Sequence, residues 1–370
     1  MKRAAAAAIS LMTGLAMLTG CSRAEVEETI QPLVADAIEE SDSEAEAVKE
    51  EDESPLIPEI DTDIKIHAGS RIAVVSKCVK GEYWKMVKKG MEDAVKEINK
   101  AYGYKKDDQI TMTFEGPDNE EDVETQINTI DAVIAENPDV LCISASDMDS
   151  CEAQLEAAKE NGIPVIAFDS NVAEKKLVKA YRGTDNVQVG KMAAYQLGSA
   201  LGKMGKVAVF SAQQKTKSVQ DRVEGFMNNI GKYGDIEVVE TIYSDQVDDM
   251  EASMKEVLEK YPTLDGVFCT NADITEMYLN LEKSDEHDAP ALVGVDATTK
   301  QQEAIRNGEE IGCVSQQPYA MGYQTIWAAV ETTAPKKSVV IEKNVLSNPA
   351  WIDADCLDDP DYSESIDRKS

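Results

Sequence analysis

The chain has 370 residues, 42% of them hydrophobic, and a formal net charge of −33 at pH 7. That length suits two lobes of ordinary domain size rather than one small core. Phosphates would be repelled rather than neutralised, which argues against a nucleic-acid partner, and no second long apolar run after the N-terminus offers an internal membrane span.

The N-terminus has the form of an export signal: Lys2 and Arg3 are basic, and Ala4–Leu18 is apolar but too short to span a membrane comfortably. Leu18-Thr19-Gly20-Cys21 resembles the bacterial lipobox, whose cysteine is lipidated and becomes the mature N-terminus. The resemblance implies a signal over residues 1–21. The mature protein would then meet the membrane only through acyl chains on Cys21, on the outer face of the cell membrane and in the periplasm where an outer membrane is present. Residues 22–69 form a linker. From Glu25 to Asp63 acids dominate, Lys49 is the only base, and Pro32, Pro55 and Pro58 punctuate the run. So much like charge predicts an extended, largely disordered stalk, with transient helix over Glu25–Glu40.

From Arg71 the pattern becomes periodic. Arg71–Ser76 is a predicted strand, and Val87, Met91, Ala94, Val95 and Ile98 mark one face of a helix. Ile110–Phe114 is the next strand. Val123, Ile127, Ile130 and Ile134 mark a helix that stops before Asn137-Pro138. The strand Val140–Ser144, a helix carrying Leu155 and Ala158, and the strand Ile163–Phe168 follow. Val178–Arg182 is expected at a sheet edge.

A second series starts with a helix over Val189–Leu201 and continues with strands at Lys206–Phe210, Ile236–Ile242, Gly266–Thr270, Leu292–Val295 and Ile311–Ser315. Helical spacing separates them: Val219, Val223, Phe226 and Ile230; then Met250, Met254, Val257 and Leu258; then Met277 and Leu281; then Gln301–Asn307. Strict βα alternation implies parallel sheets with helices on both faces, and in such sheets ligands sit at the carboxyl ends of strands. Asp169 ends one apolar strand and is a candidate ligand contact on that ground alone. The halves echo one another, with Asn137–Ser144 comparable to Tyr261–Thr270 and an Asp-bearing turn, Asp147 or Asp273, after each. Two similar lobes suggest a cleft between them.

Several segments resemble, in order, the type I periplasmic sugar-binding proteins of ABC transporters, the ribose/galactose-binding group. They are IAVVS…GEYWKMVKKG, NPDVLCISASD, NGIPVIAFDS, YRGTDNVQVGKMAA, QDRVEGF, DGVFCTNAD, LVGVDATTKQQEAI and VSQQPYAMG, spanning roughly Arg71 to Asn344. The resemblance implies an α/β fold of two lobes, each a doubly wound parallel sheet, joined by a three-strand hinge near Thr184-Asp185, Gln316-Gln317 and Lys343. It divides the chain into an N-terminal lobe (70–184 plus 317–342), a C-terminal lobe (185–316 plus 343–358) and a tail (359–370). It puts Tyr83 and Trp84 at an aromatic sugar platform, and Asp169, Arg222, Asn271, Asp296 and Gln316 around the ligand. Ser144 and Asp147 fall near the place of an N-lobe asparagine. Two departures are evident: Ser170 stands where ribose binders carry arginine, and a C-lobe aromatic is replaced near Asp245 or Gln246. Both leave room for a ligand other than ribose.

The chemistry of that set is coherent. Rings cover the C–H face of a sugar, carboxylates accept from its hydroxyls, guanidinium donates in a planar fork, and amides do either. The expected function is therefore capture of a small sugar by hinge closure and delivery to an ABC permease, without catalysis, cofactor or metal, by a monomer. A sensor partnered with a chemoreceptor or histidine kinase, or a nucleoside binder of the same fold, would use the same residues. Asp169 with Asp296 as a glycosidase pair and a LacI-type repressor are weaker alternatives, the latter because an export signal stands where DNA-binding helices would be needed. His67 and His287 lack a catalytic partner. Cys78, Cys142, Cys151, Cys269, Cys313 and Cys356 form no metal-ligand pattern and are expected mostly as free, buried thiols.

Overall fold

The computed structural model describes residues 57–281, 289–335 and 339–359. The signal segment, Cys21, most of the acidic linker, His287 and the tail beyond Asp359 lie outside them. In chain order the first series is β1 (Arg71–Val75), α1 (Glu82–Tyr102), β2 (Thr111–Glu115), α2 (Val123–Ala135), β3 (Val140–Ile143), α3 (Glu152–Glu160), β4 (Val165–Phe168) and β5 (Ala180–Thr184). The second is α4 (Asn186–Ala200), β6 (Met204–Ser211), α5 (Lys217–Ile230), β7 (Asp235–Tyr243), α6 (Met250–Lys260), β8 (Gly266–Cys269), α7 (Ala272–Leu279), β9 (Ala291–Val295), α8 (Thr299–Asn307) and β10 (Gly312–Ser315). Then come α9 (Pro318–Thr332), β11 (Asn344–Ser347) and β12 (Ala350–Ile352).

Two six-stranded sheets result, ordered β11-β5-β4-β3-β1-β2 and β12-β10-β9-β8-β6-β7. Every pairing is parallel except β10 with β12. The central strands are buried on both faces, which is why they are unbroken apolar runs such as Val140–Ile143 and Val165–Phe168. The chain passes between sheets three times: after β5, after β10 and after β11. This is the two-lobed α/β architecture that the sequence implies.

Three local expectations change. Val178–Arg182 is not at an edge, because β11 pairs outside β5 in parallel, with Val345 opposite Arg182. For the same reason Asn344–Ser347 extends the first sheet instead of joining the second with the rest of 343–358. A four-residue strand with one buried side chain carries too little periodicity to be seen in sequence. Finally, residues 57–69 do not continue the extended linker. Ile57, Ile60, Ile64 and Ile66 pack on the first core, and the Tyr102 hydroxyl donates to the carbonyls of Asp61 and Ile64, both at 2.8 Å.

Each lobe carries one close helix pair. An ideal Cβ on Gly190 of α4 would stand 1.9 Å from the Arg222 carbonyl oxygen, and one on Gly225 of α5 2.1 Å from that of Val187. The first lobe repeats the device: Gly90 of α1 faces the Tyr319 carbonyl at 2.0 Å, and Gly322 of α9 that of Val87 at 2.1 Å. Both crossings hold helices that start at the cleft, so backbone-to-backbone packing sets where Tyr83, Trp84 and Arg222 stand. Gly190→Ala is expected to push α5 away and destabilise the protein by about 1–3 kcal/mol. Urea unfolding with an unchanged m-value would show this, and an unshifted midpoint would contradict it.

Candidate functional site

The carboxyl ends of the central strands of both sheets face one cavity of ≈ 230 Å³. Seven of the nine residues singled out in the sequence line it: Tyr83, Trp84, Asp169, Arg222, Asn271, Asp296 and Gln316. Ser144 stands behind the wall, its Oγ donating to Asp169 Oδ2 at 2.8 Å. Asp147 does not line the cavity. Its carboxylate accepts from the backbone N–H groups of Asp149 and Ser150 and lies 3.5 Å from Lys215 Nζ, so it closes its own turn and meets the opposite lobe.

Asp169 is the hub of the first lobe. The Tyr83 hydroxyl donates to its Oδ1 at 2.8 Å, while Oδ2 receives Ser144, Ser170 at 3.1 Å and the Lys77 ammonium at 3.0 Å. Burial alone would push this carboxyl up. The charge of Lys77, the Tyr83 hydroxyl and Arg222 outweigh burial and hold it below the ordinary carboxylate range. Burial likewise opposes the charge on Lys77, but Asp169 and Glu120 overcome it, so the ammonium persists at 4% exposure. Sequence reasoning missed Lys77, a lone base after β1 with no periodicity to mark it. Its Nζ also donates to Ser170 Oγ at 3.1 Å, so a cation occupies the neighbourhood of position 170 although none is encoded there.

The aromatic pair is a corner rather than a platform. The rings are 5.2 Å apart at 89°, so both cannot lie flat on one sugar face. The Tyr83 hydroxyl is committed to Asp169, and Trp84 Nε1 donates to Glu120 Oε1 at 2.7 Å. Glu120 is a second lining residue that the sequence did not single out.

In the second lobe, Arg222 does not pair with Asp221, which Lys217 engages instead. Its Nε donates to Asn186 Oδ1 and its Nη1 to the Thr270 carbonyl, each at 2.8 Å, which fixes the guanidinium at the cavity wall. Asn271 caps α7, its Oδ1 accepting from the Ile274 N–H at 3.1 Å. Asp296 accepts from the Ala272 N–H at 2.9 Å and from Gln316 Nε2 at 2.6 Å. Burial pushes its carboxyl above the ordinary value against the pull of Arg222 and Gln316. Gln316 Oε1 accepts from Thr184 Oγ1 at 2.9 Å, so one amide ties two interlobe connections to the Asp296 carboxylate. Asp169 and Asp296 both have positive φ, 54° and 99°, a conformation costly for a non-glycine residue and concentrated at functional sites.

The lobes touch directly around the cavity. Ser170 Oγ and Ser218 Oγ are 2.7 Å apart, Thr216 Oγ1 donates to the Ser146 carbonyl at 2.6 Å, and the Thr299 N–H donates to Glu82 Oε2 at 2.7 Å. This is a closed cleft.

Asp273, in the first turn of α7, lines the cavity with its side chain still open to water. Burial against the cleft walls, together with repulsion from Glu120, Asp296 and Glu276, pushes its carboxyl up to about 7. A carboxyl raised above its unfolded value holds a proton in the folded state that the unfolded chain has lost. Stability therefore falls as pH rises from about 4 towards 7, and the penalty is complete above 7. Asp296 acts in the same direction. The ligand-free protein is expected to melt at higher temperature at pH 5.5 than at pH 8, with Asp273→Asn reducing the difference. A difference unaltered by that substitution would contradict the assignment.

A family model for the periplasmic binding protein domain matches residues 72–337. Among curated proteins, the chain is 26% identical over 220 residues to the ribose import binding protein of Bacillus subtilis, covering 60% of this chain and 71% of that one. It is 21% identical over 289 residues to the D-allose-binding periplasmic protein of Escherichia coli, covering 75% and 88%. Among solved structures, an ABC transporter solute-binding protein from Agrobacterium vitis bound with α-D-tagatopyranose superposes with a TM-score of 0.73 at 24% identity, covering 81% of this chain and 100% of that one. A second from the same organism, with bound D-fucose, gives 0.72 at 25%, covering 80% and 100%. With a family model spanning most of the described residues and two parallel-dominated sheets that superpose on solved neighbours, the chain belongs to the periplasmic binding protein domain family, in its type I architecture.

Proposed function

We propose that the chain is an extracytoplasmic solute-binding lipoprotein that captures a small sugar by hinge closure and delivers it to an ABC permease. One observation carries the reading. A cavity of ≈ 230 Å³, closed between two lobes, is lined by buried charged groups from both: Asp169 and Lys77 from one, Arg222 and Asp296 from the other. That volume lies below the roughly 300–1,000 Å³ of pockets for drug-sized ligands and suits one small molecule. Acceptors and donors both line the wall, as a ring of hydroxyls requires. The ligands named for the relatives, ribose, allose, tagatose and fucose, are all of that kind.

Closure follows from where the groups stand. Asp169 and Arg222 are on opposite lobes, so a ligand touching both is held only when the lobes meet, and binding shifts the population towards the closed form. The permease then reads the closed surface. The acyl chains on Cys21 keep the binding body near it.

Isothermal titration against a monosaccharide panel tests the reading, with small-angle scattering reporting compaction on binding. Asp296→Asn preserves an acceptor for the α7 backbone but turns the other into a donor. It is expected to weaken binding at least about tenfold, or about 1.4 kcal/mol, with little change in melting temperature. Unaltered affinity would remove Asp296 from the site. For the anchor, Cys21→Ala is expected to abolish incorporation of labelled palmitate and release the protein from the membrane fraction. Labelling that persists in the variant would refute lipidation at Cys21.

A further inference from the structure

Beside the ligand cavity lies a second hollow of ≈ 490 Å³ that the proposed function leaves unused. Asp118, Glu120, Asn271 and Asp273 line both spaces, so the two adjoin. The outer hollow lies where the last strands of the two sheets, β2 and β7, end at the cleft.

Its wall is thin for a definite reason. In the turn Ser244–Gln246, Asp245 Oδ1 accepts from the Gln214 N–H at 2.9 Å and Gln246 Nε2 donates to Gln214 Oε1 at 2.8 Å. The two larger side chains of the turn therefore fold back along their own lobe instead of filling the hollow. The space is nonetheless bounded by both lobes in the closed form. Ser244 Oγ meets the Glu121 carboxylate across the gap, and Gln213 Nε2 donates to the Glu120 carbonyl at 3.3 Å. Five carboxylates line it, on Asp118, Glu120, Glu121, Asp248 and Asp273, with no lysine, arginine or histidine among the described lining residues.

Resting on the sugar-binding reading, we propose that the ligand continues past the inner cavity. It is a disaccharide or glycoside whose first unit lies against Asp169, Arg222 and Asp296 and whose second, uncharged or amine-bearing unit fills the outer hollow. A single ring would leave the larger space to water. Ionised carboxylates are acceptors only, so they select an occupant rich in donors, which hydroxyls and an ammonium are. The repulsion that raises Asp273 would be relieved by an ammonium and increased by a phosphate or uronate.

The test is calorimetry of the full chain with neutral disaccharides, aminoethyl glycosides, phosphorylated sugars and the component monosaccharides. At least one disaccharide or aminoethyl glycoside is expected to bind about tenfold or more tightly than its own monosaccharide, with phosphorylated extensions weaker than the monosaccharide. Val247→Trp, which fills the outer hollow, is expected to return that ligand to monosaccharide affinity while leaving the monosaccharide Kd within about twofold. If Val247→Trp lowers the melting temperature, Ser244→Trp takes its place. Extended ligands that gain nothing over their monosaccharides, or a gain that survives both fillings, would overturn the inference while leaving sugar binding intact. Absence of binding by every carbohydrate would instead bring down the sugar-binding reading on which it rests.

Discussion

Asp169 and Lys77 share a buried contact on which the site depends. At 3.0 Å, with both side chains almost fully covered, neither charge would survive alone, since removing an ion from water costs several kcal/mol even after relaxation. Each persists because the other is present and because Tyr83, Ser144 and Ser170 take up the remaining hydrogen-bonding capacity of the carboxylate. Such a pair adds little net stability against an apolar replacement. What it supplies is a cavity wall of fixed polarity.

The second lobe solves the same problem differently. Among the described residues no lysine pairs with Asp296; it rests on the start of α7, on Gln316 and on the more distant charge of Arg222. Its charge is less well compensated, and burial prevails in the direction of its titration. The two strand-end acids are thus topological equivalents with unequal electrostatics, one balanced mainly by Lys77 of its own lobe and the other partly through the interlobe connections. Gln316 joins them to the hinge, bonded at one end to Asp296 and at the other to Thr184. One amide therefore bridges the end of a first-lobe strand and the buried carboxylate of the second lobe.

Each lobe is also tightly tied within itself. The reciprocal glycine contacts of α1 with α9 and of α4 with α5 leave no room for a methyl group, so the cleft residues on these helices are fixed relative to the rest of their lobe. The bonds that close the cavity are short polar contacts, such as Ser170 with Ser218 and Thr216 with the Ser146 carbonyl, of a kind that water can equally well satisfy.

Periodicity alone determined the alternation of strands and helices, the two parallel sheets and the acids at their strand ends, because a strand buried on both faces must be apolar throughout and its first polar residue marks where it emerges. Asp169 was legible in this way, whereas Asp296 and Arg222, the latter on a helix rather than at a strand end, were named by the resemblance to the sugar-binding proteins. The tertiary structure alone decided what required distant segments to meet. Lys77 reaches Asp169 across 92 positions of chain, β11 joins β5 from beyond α9, Tyr83 and Trp84 stand at right angles, and Asp147 turns away from the cavity to cap its own turn. A single residue's charge carries no period, and the direction of a side chain at a turn depends on neighbours that the local sequence does not contain.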